Sequence, residues 1–355
     1  MRKITFKILQ TSDVVMLDNG YSNLKIKGLN LYTYNNDINI YYLIKALINI
    51  KLNIFNINLL RVRYFEEIIK SLSPKVAIGH DLDKKIFLIK KYFPKIKTIV
   101  YQFGYNFSGK TDKKVYERIL LNKLTDYYCV FDKRHKKIIK KFIKSNFIIT
   151  GSVKNNEIPV QNIKKKYDIL FISQYRKINK INLDISKLID FTSNILDKFC
   201  KKYNLKLCIA LSNNRKDKNP KLMIKKINDE IDFYKKKITS FYYEKNLNSF
   251  ELADRSNLIV NINSNLGFEL LSKKKKVFFF DISKYFKWDF SRKRNLFFTT
   301  TDKKNKIIFN KMIKIIKMKD KKWESFLKNN NYHMVYNKNN TILKKIIKNI
   351  MKNEI

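Results

Sequence analysis

Ser264, Gly267 and Glu269 lie in a segment whose residue types suit the binding of an anionic ligand. An apolar run over 257–262 enters the polar turn Asn263-Ser264-Asn265-Leu266-Gly267, and a short helix follows with Glu269 in its first turns. Four lysines then lead into a second apolar run, 277–281. Strand, turn, helix and strand in so short a span make one βαβ unit, which implies a parallel sheet. The turn joins the carboxyl end of a strand to the amino end of a helix. Free N–H groups and the helix dipole favour a phosphate there, and small residues let a ligand reach the backbone. The same pattern also reads as a capped turn with no ligand, since such turns recur throughout α/β proteins.

Other strand exits carry comparable residues. In the first half these are Gly79-His80-Asp81, Gln102-Phe103-Gly104-Tyr105, Asp132, and Gly151-Ser152. Asp81 suits a general base, because a carboxylate just past a strand end is held rigidly. Its alternative role is to cap the helix that begins at Lys84-Lys85. His80 has a pKa suited to sharing the work. Adjacent side chains of an extended segment point opposite ways, so one of the two should face a ligand, and the expectation is Asp81. Gln102 and Gly104 form a turn able to offer amide donors to a sugar or phosphate. In the second half, Ser173-Gln174-Tyr175-Arg176 and Ser212-Asn213-Asn214-Arg215 leave successive strands. Arg176 is one of 10 arginines among 76 basic residues; its planar guanidinium suits a phosphate better than lysine does.

Several chemistries find no support. His80, His135 and His333 are scattered without zinc-ligand spacing, and Cys129, Cys200 and Cys208 are odd in number and sit in apolar runs, so no metal is expected. Neither G-x-G-x-x-G nor G-x-x-x-x-G-K-[ST] is present, which argues against a nicotinamide, flavin or P-loop enzyme. The formal net charge of +46 invites a nucleic-acid reading. The lysines, however, run along the whole chain among many Asn and Ile, the signature of solvated faces under AT-rich coding. Attraction to an anionic membrane surface is the next reading, and nucleic acid is not expected as a partner. The start lacks the apolar stretch of a signal peptide, and no window reads as a transmembrane helix.

Positioning these residues needs two αβα arrays. Strands are expected at 14–17, 29–34, 76–78, 98–101, 127–131 and 147–150, with helices at 40–50, 65–72, 84–92, 115–124 and 133–142. After loop chemistry and the charged stretch to Lys166, the alternation restarts. Strands are expected at 168–172, 205–211, 238–242, 257–262 and 277–281. Helices are expected at 183–203, 220–234, 249–255 (capped by Ser249), 304–317 and 341–351. The domains are accordingly 1–151, a linker 152–166, 167–320, and a helical tail 321–355. The fold class is α/β, two Rossmann-like domains facing a cleft, where ligands of such sheets bind.

The pieces at 75–105, 125–142, 148–159, 165–176 and 257–281, in this order and spacing, resemble a family of surface-carbohydrate and O-antigen biosynthesis proteins related to GT-B glycosyltransferases. The resemblance covers most of 75–281. Its strongest marks are the Ser264-Asn265-Leu266-Gly267-Phe268-Glu269 turn and the Gln102-x-Gly104 turn. Two positions depart from the pattern: Asn265 stands where Thr or a small residue is usual, and His80 where an apolar residue is usual. The resemblance implies a GT-B-like fold with a nucleotide-sugar donor in the second domain and a glycan or lipid-linked acceptor in the first. It carries donor binding onto Ser264, Gly267 and Glu269, and ligand-facing roles onto Asp81, Gln102 and Gly104. Tyr105, Gly151, Ser152, Ser173, Gln174, Arg176, Ser212, Asn263, Asn265 and Leu266 complete the expected binding residues. The expected activity is metal-independent sugar transfer with no cofactor besides the donor, in the cytoplasm at the inner face of the membrane. The alternatives are a nucleotide-sugar 2-epimerase or polyol-phosphate transferase on the same fold, and a basic protein that binds nucleic acid or membrane.

Overall fold

The computed structural model describes residues 3–17, 24–34, 37–49, 57–104, 117–175, 183–212, 220–262, 264–282, 297–330 and 334–352. The chain falls into two compact units: Met1–Phe103 with Tyr116–Glu157 and Asn337–Ile355, and Gly104–Val115 with Ile158–Tyr336. The helical tail at 321–355 is therefore divided between them.

In the first unit, β1 (Ile4–Thr5) pairs with β4 (Ile38–Asn39) at the periphery. The main sheet is built from β2 (Val14–Met16), β3 (Leu31–Thr33), β5 (Val76–His80), β6 (Lys97–Tyr101), β7 (Lys123–Val130) and β8 (Ile143–Ile149), in the order β3-β2-β5-β6-β7-β8. Every neighbouring pair in it is parallel. An all-parallel sheet must be covered on both faces, and the side chains divide accordingly. Val15, Ala77, Val100, Tyr128 and Val130 enter one core with helices Ile57–Leu72 and Lys84–Tyr92. Val14, Met16, Val76, Ile78, Ile99, Tyr101 and Cys129 enter the other, which the carboxyl-terminal helix Thr341–Lys352 closes with Leu343, Ile347 and Ile350.

That helix is anchored by a buried amide pair. Asn156 Nδ2 donates to Thr150 O and Asn340 Oδ1, both at 2.8 Å, and Asn156 Oδ1 accepts from Asn337 N at 2.9 Å. Asn340 Nδ2 donates in turn to Val153 O and Glu157 Oε1.

In the second unit, β9 (Tyr167–Ile172), β10 (Leu207–Ala210), β11 (Ser256–Asn261), β12 (Val277–Phe280) and β13 (Thr299–Thr300) form a parallel sheet in the order β10-β9-β11-β12-β13. Helices Leu183–Tyr203, Pro220–Lys235, Ser249–Asp254, Asn265–Ser272, Asn305–Lys317 and Asp320–Asn330 belong to this unit. The expected α/β class with two parallel arrays is the observed one. No described helix is long and apolar enough to cross a membrane.

Four local expectations are corrected. The helix expected over 115–124 is helical in its described part only over 117–120; Asn122 adopts φ 60°, a left-handed stop, and β7 begins at Lys123. The strand expected at 238–242 contributes one bridge, Tyr242 to Cys208, because the Thr239 N–H goes to Asp197 Oδ1 (2.8 Å) rather than to a ladder. Ser249 is not a cap: Asn248 accepts from Phe250 N and Glu251 N, with Glu251 reaching back in a capping box. The helix expected from Phe65 starts at Ile57.

Asn156→Ala leaves the Asn340 amide oxygen, the Thr150 carbonyl and the Asn337 N–H without their buried partner. Urea unfolding should report a loss of about 2–3 kcal/mol. A loss below about 0.5 kcal/mol contradicts the anchoring role.

Candidate functional site

In the first sheet β2 is flanked by β3 on one side and β5 on the other, so the strand order reverses between β2 and β5. Ligands of open parallel sheets bind outside the carboxyl ends of strands at such a reversal. His80 and Asp81 stand at the exit of β5, and the two behave differently. Asp81 is buried, 2% exposed. Its Oδ2 accepts from Tyr128 OH (2.8 Å) and its Oδ1 from Phe103 N (3.2 Å). Burial pushes its carboxyl up from 3.8 to about 6, against the pull of those hydrogen bonds. The expected capping role belongs instead to Asp83, whose Oδ1 accepts from Lys85 N at 2.9 Å.

The expectation that Asp81 rather than His80 faces a ligand therefore meets the opposite arrangement. Asp81 turns inward because the Tyr128 hydroxyl reaches it from β7, and His80 is the partly exposed member. His80 Nδ1 accepts from Leu82 N (3.1 Å), which leaves the proton of the neutral ring on Nε2. Its ring lies 4.9 Å from that of Phe103, which is itself exposed.

Gln102 is buried and ties the next two exits together. Its N–H donates to Cys129 O (2.9 Å) and its Oε1 accepts from Phe131 N (3.2 Å). Gly104 is buried at the end of the described stretch; Tyr105 lies outside the described residues. Asp132 caps Lys133–Ile139. Gly151 has φ 73°, which a glycine accepts without strain, and Ser152 caps Val153–Asn156 through Asn155 N. Asp81 and Gln102 are thus cross-ties of the sheet's carboxyl edge, whereas Gly151 and Ser152 shape the turn that leaves β8.

In the second sheet β10 and β11 flank β9, so the reversal falls between β9 and β11. Their exits are Ser173 and the turn from Asn261 to Ser264. Ser264 caps Asn265–Ser272, accepting from Leu266 N at 3.3 Å. Asn261, which sequence reasoning passed over, closes the turn: Oδ1 accepts from Ser264 N and Nδ2 donates to Ser264 O, both 3.1 Å. A Cβ on Gly267 would stand 2.3 Å from Asn261 Nδ2. The space that Gly267 leaves is therefore filled by Asn261, not kept for a ligand as the small-residue pattern suggests. Asn265, Leu266 and Glu269 are partly exposed; Asn263 lies outside the described residues. Glu269 stands one turn before Lys273, a buried lysine whose ammonium donates to Ile158 O (2.9 Å). Burial lowers Lys273 to about 8, and the Glu269 charge opposes that shift.

Ser173 and Ser212 meet on a carboxylate that sequence reasoning also missed. Glu230 is fully buried and accepts from Ser173 Oγ (2.5 Å), Ser212 N (2.9 Å) and Ser212 Oγ (3.0 Å). Tyr234 OH lies 2.7 Å from Ser173 Oγ, which also accepts from Tyr175 N. The legible signal was position: Ile227, Glu230, Ile231 and Tyr234 fall on one buried helical stripe. Gln174 is partly exposed beside this network, and Arg176 lies outside the described residues. Cys129, Cys200 and Cys208 are buried thiols, each pushed up to about 12 by burial.

Two outcomes follow. Gly267→Ala should cost about 1–3 kcal/mol, and Asn261→Ala in the same chain should recover part of that cost in a double-mutant cycle. Additive losses contradict the contact. For Asp81, the raised folded pKa means that the native state holds a proton the unfolded chain has already released between pH 3.8 and about 6. Its contribution to stability is therefore full below that window and is lost as pH rises through it, by roughly 3 kcal/mol at most. Asp81→Asn should gain stability relative to the native chain from pH 4 to 7 in urea titrations; parallel pH profiles contradict it.

The fold is shared with nucleotide-sugar 2-epimerases of known structure. UDP-GlcNAc 2-epimerase from Methanocaldococcus jannaschii, solved with UDP-GlcNAc and UDP, aligns at TM-score 0.53 and 10% identity over 96% of this chain and 100% of that one. A "putative UDP-N-acetylglucosamine 2-epimerase" from Listeria monocytogenes aligns at TM-score 0.58 and 11% identity over 97% and 98%. The enzyme from Neisseria meningitidis, bound to UDP-GlcNAc, aligns at 0.51 and 13% over 99% and 100%. These likenesses establish a GT-B-like fold. No curated protein matches the sequence. Residues 102–351, which hold the whole of the second sheet and both of its reversal-point exits, match a family described as "putative O-antigen biosynthesis protein". The chain belongs to this O-antigen biosynthesis family.

Proposed function

We propose that the protein transfers a sugar from a nucleotide-sugar donor to a glycan or lipid-linked acceptor in surface-polysaccharide assembly. The observation that carries this reading is the strand-order reversal between β9 and β11, with a capped helix amino end at one of its two exits. That pairing suits a nucleoside diphosphate, since ligands collect at such reversals and helix amino ends attract phosphate. Gln174, Asn265, Leu266 and Glu269, with Arg176 and Asn263, are assigned to the donor. Ser173, Ser212, Ser264 and Gly267 keep the shape of the exits through Glu230 and Asn261.

In the reaction, an acceptor hydroxyl oxygen attacks the anomeric carbon. The bond from that carbon to the diphosphate oxygen breaks, and the hydroxyl proton passes to a base. His80 is assigned to the acceptor hydroxyl, because it is the more exposed of the pair at the first reversal point. As a base it uses the tautomer with the proton on Nδ1, released from Leu82 N. Asp81 acts through position, holding Phe103 against the His80 ring. Arg176 and the Ser264 helix end neutralise the leaving diphosphate, so the scheme needs neither metal nor cofactor. The reading sets the protein in the cytoplasm, at the membrane face where lipid-linked acceptors are built.

A thermal-unfolding screen of UDP-, CDP-, GDP- and dTDP-sugars tests this. One nucleotide class should stabilise the chain by about 2.7 kcal/mol at a hundredfold excess over its Kd. Glu269→Gln should reduce that shift while leaving the ligand-free transition in place. No stabilisation by any nucleotide sugar contradicts the reading. Product analysis with the stabilising donor then separates transfer from inversion at C2 of the sugar, the chemistry of the epimerase alternative.

A further inference from the structure

The four most exposed large apolar side chains among the described residues are Ile48 (71%), Phe6 (70%), Ile4 (69%) and Ile8 (64%). They come from two segments more than thirty residues apart, which the fold of the first unit joins through β1, β4 and the helix that follows β4. Ile4 pairs with Ile38 across β1 and β4. Asn39 Nδ2 donates to Lys7 O (2.6 Å), and Leu9 N donates to Tyr42 OH (2.8 Å). Helix Ile40–Asn49 continues directly from β4. The Phe6 ring meets Tyr41 edge-on at 6.0 Å. Tyr41 shares a helical face with Ile44 and Ile48, and Ile40 and Ile44 are exposed along the same stripe. Tyr42 and Ala46, on the opposite face, are buried.

Lysines predominate around this stripe, although two carboxylates adjoin it: Asp37 accepts from Lys3 N (3.0 Å), and Glu67 accepts from Asn49 Nδ2 (3.2 Å) and pairs with Lys70. Ile4, Phe6 and Ile8 alternate with Lys3, Thr5 and Lys7, and both sets are exposed. Lys45 is exposed as well, with its ammonium 4.7 Å from the Tyr41 ring. We infer that this apolar stripe with its lysine rim is a docking surface for an anionic lipid bilayer. Isoleucine and phenylalanine enter the boundary between headgroups and acyl chains, and the lysines stay among the phosphates. Charge decides between occupants. A second copy would bring together two chains of net charge +46, whereas an anionic bilayer attracts each one. A nucleic acid would leave the isoleucines in water. An exposed apolar patch of this kind calls for a partner. This inference stands apart from the donor site, and donor binding can fail or succeed without it.

The test is co-sedimentation of the full chain with phosphatidylglycerol-containing vesicles and with pure phosphatidylcholine vesicles, at low and high salt. The native chain should bind the anionic vesicles, and more weakly as salt rises. The variant Phe6→Ser/Ile8→Ser/Ile48→Ser keeps every charge and should bind about tenfold more weakly or worse, with an unchanged thermal transition. A second variant, Lys3→Glu/Lys7→Glu/Lys45→Glu, should lose binding to the same vesicles. Equal binding by the serine variant and the native chain overturns the inference, since charge alone then suffices. It is also overturned by equal binding to neutral vesicles, by no binding, or by a native dimer that the serine variant dissolves.

Discussion

The second unit's site depends on one side chain folded back over the end of its own strand. Asn261 ends β11 and spends its amide on both backbone groups of Ser264. That closure lets a strand turn into a helix within three residues, and it fixes where the helix amino end points. It also dictates the residue at 267. With Asn261 Nδ2 2.3 Å from any Cβ there, only glycine leaves the turn unstrained. The exposed faces of Asn265, Leu266 and Glu269 are held in place by a contact that is wholly internal. The residues that shape the backbone here, Asn261, Ser264 and Gly267, are thus distinct from the partly exposed residues of the edge.

The first unit follows the same logic with a different tie. Asp81 stands at one strand exit, takes a hydroxyl from Tyr128 in β7 and an N–H from the exit of β6, and stays buried at a cost to its ionisation. Gln102 repeats the link between the exits of β6 and β7. Parallel strands end in loops with unpaired backbone groups, and a buried polar group there must be satisfied from within. These carboxylate and amide ties supply that satisfaction. They leave His80 partly exposed and Phe103 exposed at the edge.

Much of the architecture was legible because periodicity is a physical signal. The helices at Lys84–Tyr92 and Leu183–Tyr203 keep the expected bounds, since Asp83 caps one and the apolar spacing of the other never breaks. Boundaries failed where a single backbone group decided the outcome: Asn122 turning left-handed, and the Thr239 N–H diverted to Asp197. The site was legible as a set of strand exits but not as a set of roles. Asp81 and Asp83 look alike in sequence, and only the reach of Tyr128 across the sheet assigns one to the interior and the other to a cap. Glu230 was hidden because its partners, Ser173 and Ser212, lie 57 and 18 residues away. The +46 charge, by contrast, is plain in composition and by itself silent on role.

We propose that a nucleotide-sugar donor occupies the reversal point of the second sheet. Backbone hydrogen exchange of the full chain, with and without the stabilising nucleotide sugar, tests it most directly. Added protection should concentrate in the exits of β9 and β11 and in the first turns of Asn265–Ser272. Protection confined to the first unit, with 173–175 and 262–272 exchanging as in the free chain, contradicts it.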